Sequence, residues 1–221
     1  MTKKTAVIIG ASGLVGNFCL QQLLQNEDYS CIKIFARKPV SFPSEKIQHC
    51  IIDFDAMERY APLIKGDELF CCFGATLKKA GSKNNFLKID LGYPTQFAAF
   101  ARQNGIKKCV LISSLDADEK SSNFYLNTKG IIEKKFSEMG FESLSIVRPS
   151  LILGDRNDRR FLEALAMITM KLFSFLFFGP LKKYKGVEAE TVAKAMISIV
   201  QKNNFGTTIY ESDALQQFEK D

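Results

Sequence analysis

The feature that most constrains this chain is a glycine-rich turn directly after its first apolar run. The run covers residues 5–10, and glycines at 10, 13 and 16 give the spacing G-x-x-G-x-x-G ahead of a helical pattern over 13–26. In such a turn the first glycine permits a tight bend, the second lets the backbone approach a pyrophosphate, and the third lets the helix pack closely on the strand. The helix N-terminus adds unpaired N–H groups and a positive dipole end. The turn therefore predicts a phosphate-binding site formed by Gly10, Ser12, Gly13, Leu14, Val15 and Gly16.

Short apolar runs alternate with longer helical patterns up to Ser150, which is typical of βαβ units and a parallel sheet. Parallel strands are covered on both faces and therefore read as continuous apolar runs. These patterns predict an α/β fold: one Rossmann-like domain with a doubly wound parallel sheet and a small C-terminal helical elaboration. We interpret 1–150 as the nucleotide-binding core and 151–221 as an elaboration on its substrate side. The predicted strands cover 5–10, 31–36, 47–53, 67–73, 107–113 and 143–148, and the predicted helices cover 13–26, 86–104, 124–140 and 188–202.

Charge and composition exclude several classes of protein. Apolar residues make up 46% of the 221 residues and charged residues 24%, which is typical of a folded globular chain rather than a disordered one. Lys and Arg number 30 against 24 Asp and Glu, a net charge of +6, and the cations are scattered. A nucleic-acid-binding protein more often concentrates them in a patch or arm. We therefore expect no nucleic-acid partner, and the surplus suits an anionic small molecule equally well.

The cysteines and the single histidine predict neither disulfides nor a metal centre. No two of the six cysteines have the C-x₂-C spacing of a zinc or thioredoxin motif, and several lie in apolar runs as small hydrophobic residues. His49 lies in a run that reads as a strand, and one histidine makes a zinc centre improbable. The four apolar residues that follow Lys3-Lys4-Thr5 are too few for a signal-peptide core. We expect a cytoplasmic protein with reduced thiols and no bound metal.

The end of the second predicted strand indicates which cofactor the turn would bind. An NAD enzyme usually carries Asp or Glu there for the ribose 2′-hydroxyl, whereas this chain has Arg37 and Lys38. Two cations suit a 2′-phosphate, and the planar Arg fork grips phosphate well, so the sequence favours NADP(H); a solvated basic turn is the alternative. Five further residues at strand ends are candidate cofactor contacts, although a cap on the next helix is an equal alternative for the first of them. They are Asp53, Phe54, Phe73 with Gly74, and Ala75.

A Ser-Tyr-Lys constellation follows the fifth predicted strand. That strand ends in Ser113-Ser114, and Tyr125 and Lys129 then stand at i and i+4 on one helical face. A nearby ammonium favours tyrosinate, so the phenol can exchange a proton with a carbonyl or alcohol while a nicotinamide cofactor exchanges hydride. A serine hydroxyl at the strand end can hold the substrate oxygen. The pattern by itself is also compatible with an ordinary amphipathic helix.

Taken together, these motifs resemble the atypical short-chain dehydrogenases/reductases, and most of all the Tat-interacting-protein oxidoreductases and their bacterial relatives. The match spans nearly the whole chain and is densest over 113–156. The segments that carry it are Gly10-Ala11-Ser12-Gly13, Cys71-Cys72-Phe73-Gly74, Lys79-Ala80-Gly81, Ser113-Ser114, Lys120 to Tyr125, Lys129-Gly130, Arg148-Pro149-Ser150 and Gly154-Asp155-Arg156.

The resemblance implies a Rossmann fold and NADP(H) binding, with Tyr125 as proton donor or acceptor and Lys129 as its partner. It also implies that Ser114 rather than Ser113 is the catalytic serine, and that Pro149 and Ser150 lie beside the cofactor. No position in this chain is assigned to the catalytic Asn of other members. We predict a carbonyl/alcohol oxidoreductase acting on a small molecule; the alternative is a non-catalytic NADP(H)-sensing regulator with the same pocket.

Residues 161–178 form a long apolar segment after the predicted sheet. Its polar residues Glu163, Lys171 and Ser174 fall within about 80° of a helical wheel, which is a wider apolar surface than a one-sided surface helix has. Three interpretations remain open: a lid or core helix over the substrate, a homodimer or partner face, and a peripheral lipid contact. Glu163 and Lys171 interrupt a run barely long enough to span a bilayer, so a spanning helix is disfavoured.

Overall fold

The computed structural model describes residues 3–154, 184–202 and 204–219, and its centre is a seven-stranded sheet. All neighbouring strands in it are parallel, in the order β3-β2-β1-β4-β5-β6-β9, while β7 and β8 form a separate parallel pair. The predicted α/β fold with a doubly wound parallel sheet is thereby confirmed. The strands are β1 (Lys4–Ile9), β2 (Tyr29–Ala36), β3 (Ile47–Ile51), β4 (Glu68–Cys71), β5 (Lys108–Ile112), β6 (Ser143–Arg148), β7 (Ile152–Leu153), β8 (Val187–Glu188) and β9 (Gly206–Glu211).

Helices cover both faces of the sheet. Residues of β1 alternate between two apolar clusters, as expected for a strand buried on both sides. Ala6 and Ile8 pack with α1 and α6, whereas Val7 and Ile9 pack on the opposite face with α4 and α5. The helices are α1 (Leu14–Gln25), α2 (Leu77–Ala80), α3 (Lys83–Leu87), α4 (Tyr93–Gln103), α5 (Phe124–Ser137), α6 (Ala189–Gln201) and α7 (Ser212–Leu215), with 3-10 helices over Phe54–Leu63 and Gln216–Glu219 and a π-helix over Lys88–Gly92.

The helix predicted over 86–104 is the one element whose continuity was predicted wrongly. It is divided into α3, the π-helix Lys88–Gly92 and α4, with Pro94 in the first turn of α4. Proline has no N–H to donate to the carbonyl four residues earlier, and its ring clashes with that carbonyl. The carbonyl concerned belongs to Asp90, so the wider π turn falls where Pro94 prevents an ordinary one.

The C-terminal part of the chain completes the sheet. The strand β9 pairs with β6 along its whole length, and this strand was not predicted from the sequence. Residues 151–221 thus contribute a seventh strand and, through α6, a helix of the core. The segment 161–178 lies outside the described residues, so its three interpretations remain predictions. Within the described part of the chain, no helix is long and apolar enough to cross a membrane.

Candidate functional site

The glycine turn joins β1 to α1 at the carboxyl end of the sheet and leaves no space for side chains at two positions. Gly10 has a positive φ of 80°, and a Cβ there would lie 2.4 Å from the Cys72 carbonyl oxygen at the end of β4. A Cβ on Gly16 would lie 2.1 Å from the Gly10 carbonyl oxygen. Only glycine therefore fits at either position, and α1 can sit directly against the end of β1.

The first turn of α1 is suited to an anion. Gly13 is the N-cap residue and supplies no side-chain cap, and the first turn contains no acidic residue. The Gly13 amide donates to the Gly10 carbonyl at 2.9 Å, and this hydrogen bond fixes the bend before the helix. The following N–H groups lack intrahelical partners, and the helix dipole adds positive potential. Ser12 is exposed beside them, Leu14 is half-buried and Val15 is buried.

The two cations that are predicted to bind the 2′-phosphate of the cofactor follow β2, the strand next to β1. Phe35 of β2 pairs with Ile9 of β1, and the chain continues from β2 into exposed Arg37 and Lys38. Neither cation forms an ion pair with any residue of the described chain. Both side chains are therefore free to meet a phosphate near the glycine turn.

The other predicted cofactor contacts lie in different environments. Asp53 is exposed and caps the following 3-10 helix, since its Oδ1 accepts from the Asp55 amide at 2.9 Å. Phe54 is buried and half-buried Phe73 packs on it, with ring centroids 5.0 Å apart. Both rings also contact Tyr93, at 5.3 Å from Phe54 and 6.3 Å from Phe73. Exposed Gly74 and half-buried Ala75 follow this aromatic cluster at the end of β4.

The two serines after β5 make different contacts. Ser113 is 5% exposed, and its hydroxyl donates to Oε1 of Glu133 in a short hydrogen bond. Glu133 in turn binds Arg148 with both carboxylate oxygens, at 3.0 and 2.6 Å. Ser114 is half-buried, and among the described residues its hydroxyl makes a single hydrogen bond, donated to the Leu115 carbonyl at 3.3 Å. Ser114 is therefore the serine with a hydroxyl available to a ligand.

Tyr125 and Lys129 lie on α5 and meet a third residue that the sequence patterns did not indicate. Nζ of Lys129 lies 5.8 Å from the Tyr125 ring centroid and 2.9 Å from Oδ1 of Asp90 in the π-helix. The side chains of Lys129 and Asp90 are only 5% and 0% exposed. Gly74 lies over this pair, because a Cβ there would be 3.4 Å from Oδ1 of Asp90 and 3.9 Å from Nζ of Lys129. The end of β4, the π-helix and α5 thus converge on one buried ion pair.

The ion pair determines the charge state of the lysine. Burial disfavours the charged ammonium, but the Asp90 carboxylate, with smaller contributions from Tyr125, the Asp90 hydrogen bond and Cys71, outweighs this effect, so the pKa of Lys129 is raised above its ordinary value. Lys129 is therefore an ammonium ion at neutral pH. A fixed cation beside a phenol favours the tyrosinate form, which is the arrangement that a proton-exchanging tyrosine needs.

Pro149 and Ser150, which follow β6, form hydrogen bonds with other parts of the chain. The Pro149 carbonyl accepts the Leu115 amide at 3.0 Å, and Pro149 itself is buried. The Ser150 hydroxyl donates to the Lys185 carbonyl at 2.5 Å and lies 2.9 Å from the Ser212 hydroxyl. Ser150 therefore ties the end of β6 to the C-terminal part of the chain.

The fold and the glycine turn define a nucleotide-binding protein of the Rossmann type, and comparison with known proteins agrees with that class. A family model described as NAD(P)H-binding matches residues 10–150. Protein HTATIP2 of Rattus norvegicus is 33% identical over an alignment covering 100% of this chain and 91% of that protein. The chain belongs to the NAD(P)H-binding family, and the family resemblance predicted from the sequence is confirmed.

Other relatives and solved structures extend this result. A protein of Aspergillus niger, "Protein fmp52, mitochondrial", is 33% identical and covers 86% of this chain and 84% of its own length. MoeE5 in complex with UDP-glucose and NAD superposes with a TM-score of 0.70 at 14% identity over 98% of this chain and 81% of that one. A short-chain dehydrogenase family protein of Francisella tularensis gives 0.68 at 14% identity, over 98% and 100%. At such identities these structures show the shared fold alone. Because this fungal relative is named as mitochondrial, a cytoplasmic location for this chain remains a prediction.

Proposed function

We propose that this protein is an NADP(H)-dependent oxidoreductase that interconverts a small carbonyl compound and its alcohol. The observation that carries this proposal is the buried Lys129 ammonium, 5.8 Å from the Tyr125 ring at the edge of the sheet where the glycine turn and Ser114 also lie. Ligands bind in the crevice at this edge of open parallel α/β sheets. The proposed location is the cytoplasm.

The residues present fit a dinucleotide phosphate. The glycines at 10 and 16 bring α1 against β1, and the uncapped first turn of α1 is suited to the pyrophosphate. Arg37 and Lys38 would hold the 2′-phosphate, Asp53 would accept a hydrogen bond from adenine, and the backbone at Gly74 would permit close approach. When bound, NADP(H) supplies or accepts the hydride.

The side chains of the active site would handle the substrate oxygen and its proton. The Ser114 hydroxyl donates to the carbonyl oxygen and orients it. The Tyr125 hydroxyl gives its proton to that oxygen in reduction and takes it back in alcohol oxidation. Lys129 stabilises the phenolate left behind. This division of roles requires Lys129 to remain charged, which its contact with Asp90 ensures.

The cofactor preference is tested by calorimetry with NADPH and NADH. Charge-assisted hydrogen bonds contribute about 1.5–3 kcal/mol each, so Arg37→Ser/Lys38→Ser should weaken NADPH binding at least about tenfold and leave NADH binding nearly unchanged. Lys3→Ser/Lys65→Ser is a control with the same loss of charge away from the carboxyl edge of the sheet. Equal affinity of the wild-type protein for NADH and NADPH would contradict the NADP(H) assignment.

Turnover is tested by following NADPH oxidation against a panel of aldehydes, ketones and quinones. We expect at least one of them to be reduced, and Tyr125→Phe to abolish turnover while NADPH still binds. Tyr60→Phe is the matched control, because Tyr60 lies in the 3-10 helix Phe54–Leu63 and packs against the core. Tight NADPH binding without turnover of any compound would reject the oxidoreductase and favour the NADP(H)-sensing regulator.

A further inference from the structure

Asp90 is a buried carboxylate with one polar partner. It lies in the π-helix Lys88–Gly92 and is 0% exposed. Its Oδ1 accepts from Nζ of Lys129 at 2.9 Å, and its Oδ2 accepts no hydrogen bond from any described residue. Any effect of the Asp90 carboxylate on other described residues is therefore transmitted through Lys129.

Three groups face Lys129, and Asp90 is the one that serves as its counter-ion. They are Asp90 from the π-helix, Tyr125 from α5 and Cys71 from β4. The Cys71 thiol is fully buried, and burial raises its pKa well above the ordinary value, so it is neutral at physiological pH. Without Asp90, the desolvation of Lys129 would be opposed by no fixed negative charge near neutral pH.

We propose that Asp90 is the positioning residue of the catalytic pair: its carboxylate keeps the Lys129 ammonium charged and directed at Tyr125. This inference rests on the function proposed above. Asp90 takes no proton from the substrate; the proton passes between the Tyr125 hydroxyl and the substrate oxygen.

A purely structural role explains this arrangement poorly. A buried ion pair usually stabilises a fold no better than apolar residues of the same volume, because both charges are desolvated. This pair also lies against Gly74, an exposed residue that is a predicted cofactor contact. The π turn that carries Asp90 is a helical irregularity often found at functional sites.

The first test needs neither cofactor nor substrate. The titration of Lys129 is followed by NMR in protein labelled with ¹³C at lysine Cε, and the signal is assigned with Lys129→Met. In Asp90→Asn the pKa of Lys129 should fall, since the carboxylate that most strongly opposes the effect of burial is then absent. Glu68→Gln is the control, because Glu68 is an equally buried carboxylate that pairs with Lys4 instead. An unchanged pKa of Lys129 in Asp90→Asn would overturn the proposal.

The second test is the pH profile of carbonyl reduction. Asp90→Asn should move the alkaline limb to lower pH, because loss of the carboxylate lowers the pKa of Lys129 and the ammonium is then lost at lower pH. Lys129→Met should move the limb to higher pH, because Tyr125 then loses its cation. A merely structural residue would lower activity without moving the limb. If the titration of Lys129 shifts in Asp90→Asn but the wild-type protein turns over no compound, only the oxidoreductase activity is rejected. If the protein turns over a compound but Asp90→Asn leaves the alkaline limb unmoved, the positioning role of Asp90 is rejected.

A double variant covers the case in which Asp90→Asn fails to fold. Asp90→Asn/Lys129→Met removes both charges and leaves no unpaired ion, so we expect it to unfold at a higher temperature than Asp90→Asn. Its alkaline limb should coincide with that of Lys129→Met, because Asp90 acts only through the lysine. A further shift of the limb in the double variant would contradict the proposal.

Discussion

Ser113 and Ser114 are neighbours in the chain but differ in burial and in the hydrogen bonds of their hydroxyl groups. Ser113 is buried and belongs to a chain of hydrogen bonds that runs through Glu133 to Arg148. Ser114 lies half-buried at the edge where ligands bind in this fold. The first serine therefore contributes to stability, and the second is available to the substrate oxygen.

Replacing each serine by alanine should separate these roles. Ser113→Ala removes a hydrogen bond to a charged group, so we expect the free energy of unfolding to fall by about 2 kcal/mol. Ser114→Ala should change it by less than about 0.5 kcal/mol but lower kcat about a hundredfold, as loss of one oxyanion donor does. Denaturant unfolding and steady-state kinetics measure both. If Ser113→Ala lost turnover and Ser114→Ala kept it, the assignment would be reversed.

Tyr29 predicts how stability depends on alkaline pH. It is fully buried, and burial followed by the charge of Glu68, to which its hydroxyl donates, raises its pKa well above 10.0. A tyrosine whose pKa is raised on folding contributes stability below pH 10, and this stability is lost as the pH rises further, because only the unfolded chain releases the proton.

We therefore expect the free energy of unfolding to fall above pH 10, by up to about 1.4 kcal/mol per pH unit from this one group. Tyr29→Phe should give a shallower slope, although the buried cysteines also contribute. Tyr184→Phe, at an exposed tyrosine, should keep the wild-type slope. Denaturant titrations between pH 8 and 11 compare the three proteins. Identical slopes for Tyr29→Phe and wild type would contradict this account.

Single residues were predictable where their surroundings are local in sequence. The glycine turn, Arg37 and the i, i+4 spacing of Tyr125 and Lys129 all lie within a few residues of the element that positions them. Asp90 was missed because its partner is 39 residues away and meets it only when α5 packs beside the π-helix. Its one local signal was Pro94, which stands four residues later and interrupts the helical pattern.

At the scale of elements, α5 is held in place by a glycine. A Cβ on Gly130 would lie 2.1 Å from the Glu119 amide nitrogen and 2.2 Å from the Asp118 carbonyl carbon. The helix therefore packs directly on the backbone of the loop that follows β5. This contact fixes the neighbouring Lys129 relative to the end of β5, where Ser114 lies.

Gly130→Ala should lower stability and turnover together, although alanine favours a helix over glycine by about 1 kcal/mol. Gly92→Ala is the control, since a Cβ there would meet only the Leu87 carbonyl oxygen at an ordinary 3.7 Å. We expect Gly92→Ala to be neutral or stabilising by up to about 1 kcal/mol. Thermal unfolding and kcat measure the two effects. A Gly130→Ala protein as stable as Gly92→Ala would show that the close contact is not maintained.

Elements were predictable where burial imposes a pattern. The six predicted strands are all present. The strands β1, β4 and β5 are mostly or wholly buried and read as apolar runs, whereas the edge strand β3 is mostly exposed. The edge strand β9 was missed because all six of its residues are exposed or half-buried, and its sequence from Gly206 to Glu211 has no continuous apolar run. The 3-10 helix Phe54–Leu63 was anticipated only as the helix that Asp53 could cap. Its extent was not predicted, since it contains Pro62 and a non-helical Ala56.

At the scale of the whole molecule, the parallel topology brings the candidate site together. The ends of parallel strands lie at one edge of the sheet, so Gly10, Arg37, Gly74 and Ser114 are at the same edge although they follow four different strands. The topology also determines what local patterns did not: α6 packs on α1, where Gln22 donates to the Glu190 carbonyl at 3.1 Å. The C-terminal part is thereby joined to the glycine turn's own helix.

The most direct test of the central claim is transfer of the nicotinamide hydrogen. The wild-type protein is incubated with NADPH deuterated at the transferred C4 position and the carbonyl panel, and the products are analysed by mass spectrometry. We predict an alcohol that carries one deuterium for wild-type protein and none for Tyr125→Phe, although both bind NADPH. NADPH binding by the wild-type protein with no deuterium in any product would contradict the claim that this chain is an oxidoreductase.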